Sequence, residues 1–184
     1  MTGTLHFHYT TVGHVTIDVL SDGTRQPGGA AFYSALQAAR LGQRTQILTR
    51  GVPAEIEGLL EPYRGELELQ ILPAPATTTL VTSGSGASRA QRLRAWAGPI
   101  ESVQELDTTI LHLAPVAREI PLQWAGQGGF LGLTPQGLAR RWSGLEDELR
   151  LSSPEPASAP LGARADAVVI SALERDSCAA LLAA

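Results

Sequence analysis

A chain of 184 residues, 43% hydrophobic and 17% charged, has the length and composition of one soluble domain able to bury about 70% of its unfolded surface. Its formal charge of −4 and lack of a basic cluster argue against a nucleic-acid footprint. No apolar run approaches the ~20 residues that span a bilayer, and the first residues lack the basic, apolar start of a signal peptide, so the expected location is cytoplasmic.

All 14 basic residues are arginine, and asparagine is absent too, a bias that fits a high-GC genome. There is therefore no P-loop lysine, Schiff-base lysine or protein-kinase strand lysine in these residues. His6 and His8 share one face of any strand there and His14 follows, but zinc needs three or four placed ligands and a second shell, so no histidine metal site is expected.

Strands are predicted near residues 11–19, 44–49, 67–71, 77–83, 109–113, 129–133 and 167–171, with helices between them. That alternation predicts the α/β class, a mostly parallel sheet flanked by helices. The first strand ends near Asp18, where an open α/β sheet presents its ligand-facing rim. After a short excursion, Pro27-Gly28-Gly29 opens a helix over 29–41 in which Ala31, Ala35, Ala38, Ala39 and Leu41 fall near helical spacing, and Gly42 ends it. A glycine pair at a helix start lets a ligand approach first-turn N–H groups that lack internal partners. A hydroxyl-rich or anionic small molecule suits such a position, with Asp18 as the acceptor for hydroxyls.

Gly13 followed by Asp18, then Pro27-Gly28-Gly29 and Leu41-Gly42, resembles the amino-terminal signature of the ribokinase-like (PfkB) carbohydrate and nucleoside kinases. The resemblance is strongest over residues 12–51 and continues in order to residue 174. It implies a Rossmann-type three-layer fold with a small β lid, and contacts to sugar hydroxyls from Asp18, Gly28 and Gly29. Tyr33 stands where the family often has asparagine and is carried as a substrate-binding candidate.

Residues 66–95 break the strand–helix rhythm. Glu66 to Ile71 alternates polar and apolar, and a second strand follows without a helix between. Period two predicts a sheet with one exposed face; by resemblance, segments 20–26 and 66–95 are expected to form the lid, through which a homodimer could pair. The run from Gly84 to Ser88 either joins two lid strands or is a flexible hairpin tip. Arg89, Gln91, Arg92 and Arg94 either reach a substrate anion, with Arg92 the chosen candidate, or form a solvated edge.

Further on, apolar strands run into Pro115 and Pro135, which predicts Glu119, Thr134 and Gln136 near the cleft. Gly126-Gln127-Gly128-Gly129 lacks the third glycine of a dinucleotide fingerprint and precedes a strand, so it reads as a turn and disfavours a dinucleotide-dependent enzyme. His112 reads as a core or rim histidine and Trp96, Trp124 and Trp142 as packing residues, although a tryptophan beside the lid could stack on a sugar or base. Residues 152–165 form a Pro/Ala/Ser-rich connection. Ser171 to Glu174 resembles the family's strand-end N-x-x-E motif with serine for asparagine. The resemblance implies a cofactor-binding role for Glu174 in the network that holds Mg2+ and phosphate near ATP; an acid favoured by a helix dipole reads equally well. The single Cys178 excludes an internal disulfide and is expected to pack as a small helical residue.

The final apolar run has no cap, and the downstream Gly-Ala-Gly-Asp stretch that supplies the family's catalytic base does not occur. The expectation is one incomplete ribokinase-like domain, 1–184, carrying the acceptor half of an ATP- and Mg2+-dependent sugar or nucleoside kinase and lacking turnover alone. The alternative is a non-catalytic sugar-binding or regulatory module derived from such a kinase.

Overall fold

The computed structural model describes residues 6–84, 89–101, 106–122 and 129–183. Ser85 to Ser88 of the predicted hairpin tip, Trp124, the Gly126–Gly128 part of the glycine run and Ala184 lie outside these residues.

The apolar runs assemble into a six-stranded sheet built only from parallel pairs. Its strands are β1 (Phe7–Val12), β4 (Thr45–Gly51), β5 (Glu68–Pro73), β8 (Thr108–Leu113), β9 (Phe130–Leu133) and β12 (Ala167–Val168), in the order β12-β9-β8-β1-β4-β5. From β1 the chain builds outward through β4 to β5, then returns to build the other side through β8. The order thus reverses between β1 and β8, the place where open α/β sheets open a crevice.

Helices cover both faces. Helix α1 (Ala30–Arg40) presents Ala31, Phe32, Ala35 and Leu36, and α2 (Pro53–Leu59) presents Ile56, to a cluster with Val15 and Ile47. Phe32 and Leu36 take core places that the alanine pattern had left open, whereas Leu41 is exposed beyond the helix end. On the opposite face Leu48, Leu111 and Leu113 meet Leu138 of α3 (Gln136–Ala139), Leu161 of α4 (Ala159–Arg164) and Leu181 of α5 (Ala179–Leu182). Cys178 is buried beside α5. Gly42, at φ +82°, closes α1 as expected.

The predicted strand over 11–19 is two strands in two sheets. Beyond Val12, a Cβ on Gly13 would meet the Ala114 carbonyl oxygen, so only glycine lets β1 cross so close to the end of β8. The His14 N–H then donates to Glu119 Oε1 at 2.9 Å and the Val15 N–H to Thr49 Oγ1 at 2.8 Å. These side-chain acceptors replace the ladder and release the chain into β2 (Thr16–Val19). A smaller four-stranded sheet follows, in the order β3-β2-β6-β7, from β2, β3 (Arg25–Gly28), β6 (Thr79–Ser83) and β7 (Ala90–Ala95). Leu80 and Leu93 anchor it on Val116 and Ala117.

Residues 66–73 depart from expectation. The alternating Glu66 to Ile71 stretch contributes β5, the edge of the large sheet paired with β4, and not a strand of the small one. An edge strand of a parallel sheet also has one face half-covered, so its pattern mimics a lid strand. A two-stranded ribbon of β10 (Arg140–Arg141) and β11 (Arg150–Leu151) completes the strands.

Candidate functional site

A cleft of about 460 Å³ lies between the small sheet and the carboxyl ends of β9 and β12. Asp18 of β2, Gly29 and Tyr33 at the start of α1, Thr134 and Gln136 after β9, and Glu174 after β12 all line it. Its size is that of an ordinary small-molecule site.

Asp18 stands half-buried on β2 and accepts the Thr16 hydroxyl at 2.7 Å. Burial raises its carboxyl above the usual range, against the opposing effects of Thr16, Arg140 and Arg89. Gly28 ends β3, where a Cβ would collide with the Asp18 carboxylate itself. Gly29, at φ +93°, caps α1 with no side chain, and a Cβ there would meet the His14 carbonyl oxygen. The glycine pair therefore lets the hairpin fold Asp18 over the first turn of an 11-residue helix whose leading N–H groups have no helical acceptor. Tyr33 turns its hydroxyl back to the Pro27 carbonyl at 3.0 Å, tying β3 to α1 beside the cleft.

Across the cleft, Glu174 is buried. Its two oxygens accept the Ser171 N–H at 2.9 Å and the Gln136 side-chain amide at 2.8 Å. Thr134 donates or accepts at His112 Nε2, 2.9 Å away, and Tyr9 meets the other ring nitrogen at 2.7 Å. Burial lowers the His112 pKa to about 4, so this imidazole is neutral at pH 7.

Asp18, Gly29, Tyr33, Thr134, Gln136 and Glu174, singled out from sequence, are thus brought together around one cleft, with Gly28 directly behind Asp18. Two candidates are not. Arg92 is exposed and outside the lining, because β7 turns Gln91 inward and the next side chain outward. Glu119 is fully buried away from the cleft, where its carboxylate accepts the N–H groups of His14, Val116 and Ala117 at 2.7–3.1 Å. It is a clamp that joins the β1–β2 break to the end of β8. Arg140, within an Ala-Arg-Arg-Trp run that carries no motif, lines the cleft and was not anticipated. The available signal was its position, a few residues beyond an apolar strand and a proline.

Among the described residues, no group of three or more His, Cys, Asp and Glu side chains could hold a metal ion, and no helix is long and apolar enough to cross a membrane. His6 instead meets Asp107 at 2.7 Å and Thr109 at 2.9 Å, while His8 accepts the Arg44 N–H at 3.2 Å.

Neither a family model nor a curated protein matches the chain. Solved structures do. A pyrophosphate-dependent kinase of the ribokinase family, complexed with a pyrophosphate analog and myo-inositol, superposes with a TM-score of 0.77 at 20% identity, covering 95% of this chain and 69% of its own. The Methanocaldococcus jannaschii nucleoside kinase gives 0.64 at 15% identity, with 96% and 65% covered. Arabidopsis thaliana ribokinase, complexed with ribose and ATP, gives 0.62 at 14% identity, with 94% and 62% covered. The reversed strand order, the small sheet and the cleft between them are, on these likenesses, those of a ribokinase-like fold.

Proposed function

We propose that this cleft binds a small polyhydroxyl molecule, a sugar, polyol or nucleoside, as the acceptor of a phosphoryl group. The observation that carries the reading is the Asp18 carboxylate held over the glycine-opened first turn of α1. A half-buried carboxylate accepts hydroxyl protons, helix N–H groups donate to hydroxyl oxygens, and one ligand can satisfy both. Thr134 and Gln136 supply further polar contacts opposite, and the small sheet serves as the lid that excludes water. Likeness to kinases complexed with myo-inositol and with ribose supports the substrate class.

The phosphoryl donor is a polyphosphate, ATP or pyrophosphate, as in the kinases of similar fold. Glu174, whose two oxygens accept hydrogen bonds from Ser171 and Gln136, is the residue here that would face the magnesium and phosphate of such a donor. The reading assigns these 184 residues acceptor binding, with Glu174 and Gln136 ordering the far rim. A second reading is a sugar-binding module without chemistry, which the same placement of Asp18 over the start of α1 would serve.

Calorimetry on the purified chain with myo-inositol and ribose tests the proposal. Saturable binding of one of them is expected, and heat changes no larger than dilution for both would remove it. Incubation with ATP or pyrophosphate separates the two readings of the chain, since phosphorylated acceptor forming from these residues alone contradicts a pure binding role.

A further inference from the structure

Arg140 follows α3 directly and is the most enclosed arginine of the cleft, 8% exposed. Nη1 donates to the Val116 carbonyl at 3.0 Å and Nη2 to Gln91 Oε1 at 2.8 Å. Both partners are neutral. A guanidinium carries five N–H donors in a planar fork, and among the described residues these two bonds occupy two of them. Among the described residues no carboxylate comes within 4.0 Å of it, whereas Arg25, Arg40, Arg44, Arg64, Arg94 and Arg118 each pair with a glutamate at the surface.

Surface arginines gain little from such pairs, while a buried guanidinium loses hydration that only an anion replaces well. The arrangement here is the reverse of what stability alone would favour. Three carboxylates that act on the guanidinium lie beyond ion-pair distance and hydrogen-bond elsewhere: Asp18 accepts from Thr16, Glu174 from Ser171 and Gln136, and Glu119 from backbone N–H groups. Their fields still reach it, raising its pKa against the dominant effect of burial, which lowers it. A second cation, the exposed Arg89 just before β7, lines the same cleft.

We propose that Arg140, assisted by Arg89, forms an oxyanion subsite for a phosphoryl group, reached from the same cleft as Asp18. The spare N–H groups of a guanidinium fork match two oxygens of a tetrahedral phosphoryl group. This deepens the acceptor reading and rests on it for the identity of the neutral part of the ligand. The phosphoryl group comes either from the donor or from a phosphate already carried by the acceptor.

The test is calorimetry on the full chain at fixed ionic strength, with pyrophosphate, myo-inositol and myo-inositol 1-phosphate as separate titrants, for the wild type, Arg140→Gln and Arg89→Gln. At least one of the two anions is expected to bind the wild type, about tenfold or more weaker in Arg140→Gln and more weakly in Arg89→Gln, with the loss for the anion larger than any loss for neutral myo-inositol. Binding of pyrophosphate assigns the group to the donor; binding of myo-inositol 1-phosphate without pyrophosphate assigns it to the acceptor. No binding of either anion to the wild type, or undiminished anion affinity in Arg140→Gln, overturns the subsite. If Arg140→Gln does not fold, undiminished anion affinity in Arg89→Gln, together with no rise in wild-type Tm when phosphate replaces chloride, overturns it instead. Anion binding with neither myo-inositol nor ribose binding leaves the subsite standing and removes the polyhydroxyl reading.

Discussion

Asp18 is held in the cleft against its own preference. Burial raises its pKa, so ionising it costs the fold free energy, and that cost is absent below its unfolded pKa and grows as pH rises through the folded value. Asp18→Asn is therefore expected to abolish polyhydroxyl binding while leaving Tm unchanged or slightly raised, as thermal melting at pH 7 would show; a clear drop in Tm would make Asp18 a structural residue. His112 carries the opposite pH signature. Its imidazole titrates near 6.5 when unfolded and at about 4 when folded, so the unfolded chain holds the extra proton between those values. Stability is present above pH 6.5 and falls as pH drops toward 4, by roughly 3 kcal/mol for this group alone. Denaturant melts of the wild type and His112→Gln across that window should show the shallower pH slope in the variant; identical slopes would mean that His112 titrates normally. Glu119, by contrast with Asp18, is a polar residue spent on structure. Glu119→Ala strips the acceptor from three buried N–H groups and should cost at least about 3 kcal/mol.

At the level of elements, the small sheet is attached through few side chains. Leu80 and Leu93 bury themselves against Val116 and Ala117, so Leu93→Ala should cost about 2–4 kcal/mol. Hydrogen exchange should then speed up in β6 and β7 first, with β1, β4 and β8 still protected; uniform acceleration would mean that the two sheets unfold as one. The same elements mark what sequence could and could not reveal. The glycine pair and Asp18 were legible because the steric need is local: a Cβ at Gly28 strikes Asp18 itself. The β1–β2 break was not, because Val15, Ile17 and Val19 form an odd-numbered apolar alternation just beyond Gly13 that reads as one continuing strand, and the acceptors that replace the ladder, Glu119 and Thr49, lie far along the chain. Arg140 was hidden for a related reason. Its place beside Gln91 is set by a pairing 49 residues apart, which no local pattern encodes.

Across the whole molecule, the strand order fixes where chemistry can happen. The order reverses between β1 and β8, and beyond Gly13, which passes hard against the Ala114 carbonyl, the chain turns outward as β2 into the small sheet. One wall of the cleft is Asp18 over the start of α1, carried there by a β1–β2 crossing that Glu119 and His14 stitch from behind, the His14 ring nitrogen Nδ1 meeting the Thr78 hydroxyl at 2.8 Å. The other is the far rim ordered by Glu174. Ligand binding that bridges the two should stabilise the chain by mass action, by about 2.7 kcal/mol at a ligand concentration one hundred times its dissociation constant. The measurement that tests the account most directly is calorimetric titration of myo-inositol and ribose into the wild-type chain and Asp18→Asn side by side. Binding of a polyhydroxyl ligand to the wild type that disappears in a folded Asp18→Asn is the predicted result; equal affinity in both, or none in the wild type, would contradict it.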